Sequence, residues 1–345
     1  MSGKRVTIKD LAEELSVSTA TVSLVLSGRG EEYRISDETR IRIEEATERL
    51  GYRPDRLARS MRVGRSDTIG VVFPDMTESF MNHVLEGIEE VANQKKTSLM
   101  IATSSLDYKV EARNLESLQD RRVDGLLIIP YAPFNHEKYS DRVVKRVARS
   151  ATPIVVLDRM IPGIDTCAVL GNDRAAAAGA TARLLDKGCR KPAYVGLDIN
   201  ISTLQERRGG FYSTVENAGL ADVVRECLIR RRDPESDDLR NWLKESIATG
   251  TLPDGFLVST NGLALKLRKL LIELTGRPPG DGLYRIARFG EDSEYFPTGM
   301  MEVVQPHKEI GRRATRKLFK KISGATIPED QRIERLDMEI RNETQ

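Results

Sequence analysis

The residues best placed to do chemistry in this 345-residue chain are arginines and short hydroxyls, not catalytic dyads. Arg53, Arg56, Arg59, Arg62 and Arg65 recur at every third position, and with Asp55 alone opposing them the stretch carries a local charge of +4. Leu57 and Met61, four apart, fall together on one helix face. A helix this short lies under the roughly 12–15 residues that hold structure in water, so it should order only on binding. A second group is Ser18, Thr19, Thr21 and Ser23 around Ala20. Hydroxyls can bond to phosphate or to either member of a base pair, and Ala20 offers only apolar contact, for example with a thymine methyl. No GxSxG, HExxH or P-loop pattern is present. Cys167, Cys189 and Cys227 are too few and too far apart for a disulfide framework or a CxxC zinc site, and the three histidines His83, His136 and His307 add no metal-ligand spacing. The cysteines are expected to be packing residues. Asp158 beside a lysine would be an acid–base pair, but no spacing supports it, and an enzyme is not expected.

The elements around these residues fall into two kinds. Within the first 65 residues Thr7 can cap Ile8–Leu15, with Asp10 completing a capping box, and Ser18 can cap Thr19–Leu26. Only Ser16 and Val17 separate the two, and Ala12, Leu15, Val17, Val22 and Val25 can pack inside, which is the helix-turn-helix arrangement. Ser36 caps a third helix, Asp37–Leu50, before Gly51-Tyr52-Arg53-Pro54 breaks it. By periodicity alone a generic three-helix cap fits equally well. From Thr68 onward short β-branched runs alternate with amphipathic stretches, the pattern of strand–helix units in a parallel sheet. Strand candidates are Thr68–Pro74, Ser98–Thr103, Gly125–Pro130, Pro153–Leu157, Ala168–Leu170, Ala193–Leu197, Gly255–Ser259, Tyr284–Phe289 and a final Arg332–Arg341, while Ser79–Lys95 reads as a helix. This is more chain than one doubly wound domain needs, so two similar lobes are expected, with a cleft at the carboxyl ends of the strands.

Composition excludes disorder as the main state, since 39% of residues are apolar. No run approaches the roughly 18 apolar residues of a membrane helix, and MSGKRVTIKDLAEEL carries no signal-like stretch, so a cytoplasmic protein without membrane attachment is expected. Taken alone, the net charge of +2 argues against a nucleic-acid partner. Residues 1–65 hold 13 basic and 11 acidic side chains and residues 66–345 hold 41 of each, so the informative quantity is the placement of arginines along 53–65.

The motifs Thr7-Ile8-Lys9-Asp10-Leu11-Ala12, Val17-Ser18-Thr19-Ala20-Thr21-Val22-Ser23, Ser36-Asp37-Glu38-Thr39-Arg40, Leu50-Gly51-Tyr52-Arg53-Pro54 and Ala58-Arg59-Ser60-Met61 appear in that order. Further along stand Thr68-Ile69-Gly70-Val71-Val72, Val155-Val156-Leu157-Asp158-Arg159, Arg207 with Gly210-Phe211, and Gln305-Pro306 leading into Glu309-Ile310-Gly311. This series resembles the lactose/galactose-repressor family of bacterial transcription factors across essentially the whole chain. The resemblance implies an all-α helix-turn-helix head (1–52), a hinge helix and linker (53–65), and a two-lobed α/β core with parallel sheets like a periplasmic binding protein (66–345). It also implies a homodimer that represses carbohydrate-related genes from a pseudo-palindromic operator, modulated by a small-molecule effector and needing no cofactor. A solute-binding protein without DNA function is the alternative, disfavoured by the head.

By the same resemblance, double-stranded operator DNA is met by Thr7, Ser18, Thr19, Ala20, Thr21, Ser23, Leu24, Arg34, Tyr52, Arg59, Met61 and Arg62. Met61 takes the place of the leucine that wedges into the minor groove. Leu24 departs from the family's usual polar residue and reads either as an apolar operator contact or as contact within the head. Arg29 and Arg34 could meet DNA or be solvated, and Glu31-Glu32 should face solvent. Effector positions fall on Ser79, Phe80, Asp158, Arg207, Arg232, Asn261, Gly290 and Glu291, with Arg207 the strongest candidate. The family's Gly-aromatic-Asp is here Arg288-Phe289-Gly290, and Arg230-Arg231-Arg232 stands near its aromatic cleft position. A pocket gaining Arg and losing Asp would favour a sugar acid or sugar phosphate over a neutral sugar, unless those arginines point to solvent. No heptad-bearing tail follows Arg341, so a dimer is the default.

Overall fold

The computed structural model describes residues 6–52, 64–75, 79–131, 143, 147, 149–161, 164–230, 237–278, 283–290 and 299–342. The chain folds as two compact units, Met1–Ser66 and Asp67–Gln345.

In the first unit, α1 (Ile8–Leu15), α2 (Thr19–Leu26) and α3 (Asp37–Arg49) form where the capping residues place them. Thr7 accepts from the Asp10 amide while the Asp10 carboxylate accepts from the Thr7 amide, closing the capping box. Ser18 and Ser36 accept from the amides of Thr21 and Thr39, each satisfying a helix N–H that has no partner inside its own helix. Ser16 ends α1 in the left-handed conformation, φ 54°, which lets the chain turn into α2 within two residues. Leu11, Ala12, Leu15, Val22, Val25, Ile43 and Ala46 make one small core, with Val17 and Tyr52 packed against it.

The second unit holds two six-stranded sheets. The first is ordered β11-β5-β4-β3-β1-β2 and built from β1 (Thr68–Phe73), β2 (Ser98–Thr103), β3 (Gly125–Ile128), β4 (Ile154–Leu157), β5 (Cys167–Gly171) and β11 (Ile333–Leu336). The second is ordered β12-β10-β9-β8-β6-β7 and built from β6 (Pro192–Leu197), β7 (Arg225–Ile229), β8 (Gly255–Val258), β9 (Arg285–Phe289), β10 (Met301–Val304) and β12 (Glu339–Arg341). Among the described residues every pairing is parallel except β10 with β12. Helices α4 (Ser79–Gln94) and α10 (His307–Ile322) cover one face of the first sheet and α5 (Tyr108–Asp120) the other. In the second lobe α6 (Asp173–Asp186) and α7 (Ser202–Asn217) cover one face, and α8 (Asp238–Ala248) and α9 (Asn261–Thr275) the other. The three cysteines are buried, as expected of packing residues, and burial pushes the Cys227 thiol up to about 12.

One expectation is corrected. Arg332–Arg341 is not a single strand: β11 pairs in parallel with β5 of the first sheet, and after Asp337-Met338 the chain enters the second sheet as antiparallel β12. Two strands also lack a sequence reading, β7 and β10. β7 lies at a sheet edge with charged, exposed positions, and β10 is only four residues long, so neither shows a clear apolar run.

Candidate functional site

In the head, α2 presents Ser18, Thr19 and Ala20 as exposed residues at its N-terminal end, with Thr21, Ser23 and Leu24 half-buried. Ser18 and Thr21 share a hydroxyl–hydroxyl bond of 2.8 Å, and Ser18 also accepts from the Thr21 amide, so Ser18 keeps one hydrogen-bonding position and Thr21 two. Leu24 stands outside the core cluster of the head, which favours the outward-facing reading over packing within the head. Thr7 is exposed but committed to Asp10, whose carboxylate it meets at 2.8 Å. Tyr52 is half-buried.

The loop after α2 is organised by ion pairs that the sequence did not announce. Arg29 donates to Glu32 at 2.8 Å and its guanidinium sits 4.8 Å from the Tyr33 ring centre, while Arg40 meets Glu31 at 2.9 Å and also pairs with Asp37. Glu31 and Glu32 are exposed as expected. Arg34, exposed and at φ 54°, has no ion pair among the described residues. Arg59, Met61 and Arg62 lie outside the described residues.

In the core, a cavity of about 430 Å³ opens between the two sheets. Its walls come from strand carboxyl ends and the segments that follow them: Pro74 and Asp75 after β1, Asp158 and Arg159 after β4, Leu197, Ile199, Ile201, Thr203 and Leu204 at and after the end of β6, Thr260 and Asn261 after β8, and Phe289 and Gly290 at the end of β9. Open parallel sheets place ligands at such ends, because loops there can vary without disturbing the ladders. Phe80, Asp158, Arg207, Asn261 and Gly290, expected from the sequence, converge here. Ser79 opens α4 and its side chain is outside those described, as are Arg232 and Glu291. Arg230 is not in the cavity wall. Its side chain is 82% exposed, 4.0 Å from Asp198, so this member of the arginine triplet follows the solvent-facing alternative.

Arg207 is buried and doubly held. Its Nε donates to Asp173 at 2.7 Å, its Nη1 to the Ser259 carbonyl at 2.6 Å, and its guanidinium lies 3.8 Å from the centre of the Phe289 ring. Burial pushes the Asp173 carboxyl above its ordinary range, against the pull of Arg207. Asp158 is buried at φ 62°, a left-handed conformation that Asp tolerates better than most residues, and Arg159 donates to it at 3.2 Å. Such a backbone held by its surroundings is common at ligand sites. Arg288, absent from the expected set, is buried behind Asn261 and donates to it and, at 2.9 Å, to Glu302.

His307 was also missed, although it directly follows the Gln305-Pro306 motif. Its ring stacks on Phe80 with centroids 5.0 Å apart, and burial lowers its pKa to about 4, with Asp158 pulling up and Arg207 and His83 pulling down. The imidazole is therefore neutral near pH 7. Its Nε2 is buried with no hydrogen-bond partner among the described residues.

The family described as "Periplasmic binding proteins and sugar binding domain of LacI family" matches residues 66–277, and "Bacterial regulatory proteins, lacI family" matches residues 7–55. The chain belongs to the LacI family. This LacI-family regulator is 26% identical to the fructose operon regulatory protein of Vibrio cholerae serotype O1 over 310 residues, 89% of this chain and 91% of that one. Its fold matches that of a Lac repressor dimer bound to operator and the anti-inducer ONPF, with a TM-score of 0.81 and 98% of both chains covered at 18% identity. It also matches a putative ribose operon repressor from Burkholderia thailandensis, with a TM-score of 0.67 at 25% identity over 81% of this chain and all of that one. The head makes it a DNA-binding transcriptional regulator and not a solute-binding protein alone. Among the described residues no helix is long and apolar enough to cross a membrane, and no group of His, Cys, Asp and Glu is placed to hold a metal.

Proposed function

We propose that this LacI-family regulator is a repressor of carbohydrate-related genes that acts as a homodimer on a pseudo-palindromic operator, and that a small polyhydroxylated effector entering the interlobe cavity modulates its affinity. Residues 1–52 read the major groove, residues 53–65 form the hinge, and residues 66–345 bind effector and partner subunit. The observation that carries the effector half is the cavity itself, with Arg207 held rigidly at its wall and Asp158 facing the same space. Arg207 keeps its Nη2 donors for a ligand, and Asp158 supplies acceptors. On the DNA side, Ser18, Thr19, Ala20, Thr21, Ser23 and Leu24 make the groove contacts, Thr7, Arg34 and Tyr52 support them at the backbone, and Met61 wedges between central base pairs of the minor groove, with Arg62 beside the groove and Arg59 near phosphate.

An effector can move this equilibrium only by binding one arrangement of the lobes better than another. The two lobes carry opposite walls of the cavity, so a bound molecule bridging Asp158 and Arg207 selects the arrangement in which both reach it. The test is fluorescence anisotropy with labelled palindromic and random duplexes. Specific binding that weakens severely in Met61→Ala and Arg59→Ala is expected, and equal affinity for both duplexes would sink the operator reading. For the cavity, a thermal-shift screen over sugars, sugar acids and sugar phosphates is expected to give a stabilisation that Arg207→Ala and Asp158→Asn both remove.

A further inference from the structure

We propose that Arg288 fixes the amide of Asn261 so that this part of the second-lobe wall turns hydrogen-bond donors toward the cavity, and that the effector meets it with an ionised carboxylate or phosphoryl group. The inference deepens the cavity reading above and rests on it.

Arg288 is 1% exposed and clamped from two sides. It sits on β9 opposite Glu302 of β10, its register partner, and donates from Nη2 to Glu302 Oε1 at 2.9 Å. Its Nη1 donates to Asn261 Oδ1. A guanidinium carries donors only, so the amide atom turned toward it must be the oxygen, and the amide NH2 must point away. Asn261 lines the cavity, and its Nδ2 has no partner among the described residues. Glu302 keeps the guanidinium from swinging aside, and Arg288 in turn keeps the amide from flipping. It is a positioning residue, acting on the ligand through Asn261.

Two neighbours extend the same character. Asn261 is the first residue of α9, and Thr260 before it makes no side-chain cap bond, so the first-turn amides add donors and the positive end of the helix dipole at this wall. Gly290 lies against Asn261 at φ +130°, and a Cβ placed there would stand 2.8 Å from the Asn261 Cβ. No acceptor side chain can occupy that place without displacing Asn261. His307, whose buried Nε2 has no hydrogen-bond partner among the described residues, stands in the same cavity wall.

A hydroxyl facing the Asn261 NH2 and the first-turn amides finds no acceptor in them for its proton, whereas an ionised oxygen accepts from them and gains from the helix end. Because Glu302 balances the charge of Arg288, the preference comes from the direction of the donors and not from excess positive charge. This differs from an arginine-rich mouth: Arg230 points to solvent, while Arg288 is buried behind the amide it aims.

Calorimetric titration of the full-length protein with glucose, ribose and fructose and with their carboxylate and monophosphate counterparts tests this. Wild type is expected to bind one anionic form at least about tenfold tighter than its neutral parent, a readily resolved difference in Kd. Asn261→Asp, which sets an acceptor beside Arg288, should abolish that ratio, and Asn261→Ser gives the same comparison should Asn261→Asp fail to fold. Arg288→Lys keeps a cation opposite Glu302 but loses the second prong of the fork, and it should lower the anion-to-neutral ratio severalfold with the thermal midpoint retained. A purely structural role would weaken all ligands alike and leave the ratio intact. A neutral sugar bound as tightly as its anionic form, or a ratio untouched by Asn261→Asp or Asn261→Ser, overturns the inference and leaves the cavity reading standing. Binding that survives both Arg207→Ala and the Asn261 variants, or no binding by any compound, overturns the cavity reading as well.

Discussion

His307 illustrates how a single buried group ties the cavity to pH. Burial holds its pKa at about 4 instead of 6.5, so between those values the unfolded chain binds a proton that the folded core refuses. Stability from this site is complete above about pH 6.5 and lost as pH falls toward 4, amounting to about 3 kcal/mol from the size of the shift. His307→Phe, which keeps the stack on Phe80, should flatten the acid limb of a plot of melting temperature against pH over that window, and an unchanged limb would place the titration elsewhere. At Gly290 the backbone is the constraint: Gly290→Asp, which restores the family's usual residue, forces a side chain into φ +130° and against Asn261. A loss of about 1–3 kcal/mol in core stability is expected in denaturant unfolding. Arg207, Asp158 and Asn261 were legible because their types and flanking motifs stand in the sequence. Arg288 was legible only as a departure, since its meaning depends on Glu302, fourteen positions away and brought opposite by strand register.

Among the elements, α4 and α10 meet at two glycines. A Cβ on Gly87 would lie 2.0 Å from the Lys308 carbonyl oxygen, and one on Gly311 would lie 2.2 Å from that of Val84, so the two backbones touch where the helices cross. The second lobe repeats the device: a Cβ on Gly210 of α7 would lie 2.2 Å from the Arg174 carbonyl oxygen of α6. Gly311→Ala should separate α10 from α4 and cost about 1–3 kcal/mol through overpacking, seen as a lowered melting temperature of the core. Because α10 begins at His307, the same substitution should also weaken effector binding in titration. In the head, Ser18→Ala removes the bond to the Thr21 amide and should cost about 1 kcal/mol of head stability by thermal melting. The three head helices were readable almost to the residue because each begins with a capping side chain and is short enough for that local signal to dominate. β7 and β10 were not, because a strand of four or five residues at or near a sheet edge owes its existence to neighbours remote in sequence.

At the level of the whole molecule, near-neutral charge and DNA binding are compatible because the basic charge is concentrated in the arginines that recur at every third position of 53–65. Operator affinity should therefore fall linearly in a plot of log affinity against log salt, and Arg59→Ala should shallow the slope by about one phosphate contact's worth. Two lobes and a cleft were legible from the count of strand–helix units, but how the chain divides between them was not. The segment 333–341 supplies an edge strand to each sheet, β11 beside β5 and β12 beside β10. During synthesis, then, neither lobe can complete its sheet until this segment has left the ribosome, although the head has long since been able to close its own core. A nascent chain stalled before residue 333 would be a finished DNA-reading module trailing two open-edged sheets, the state in which chaperones have most to do.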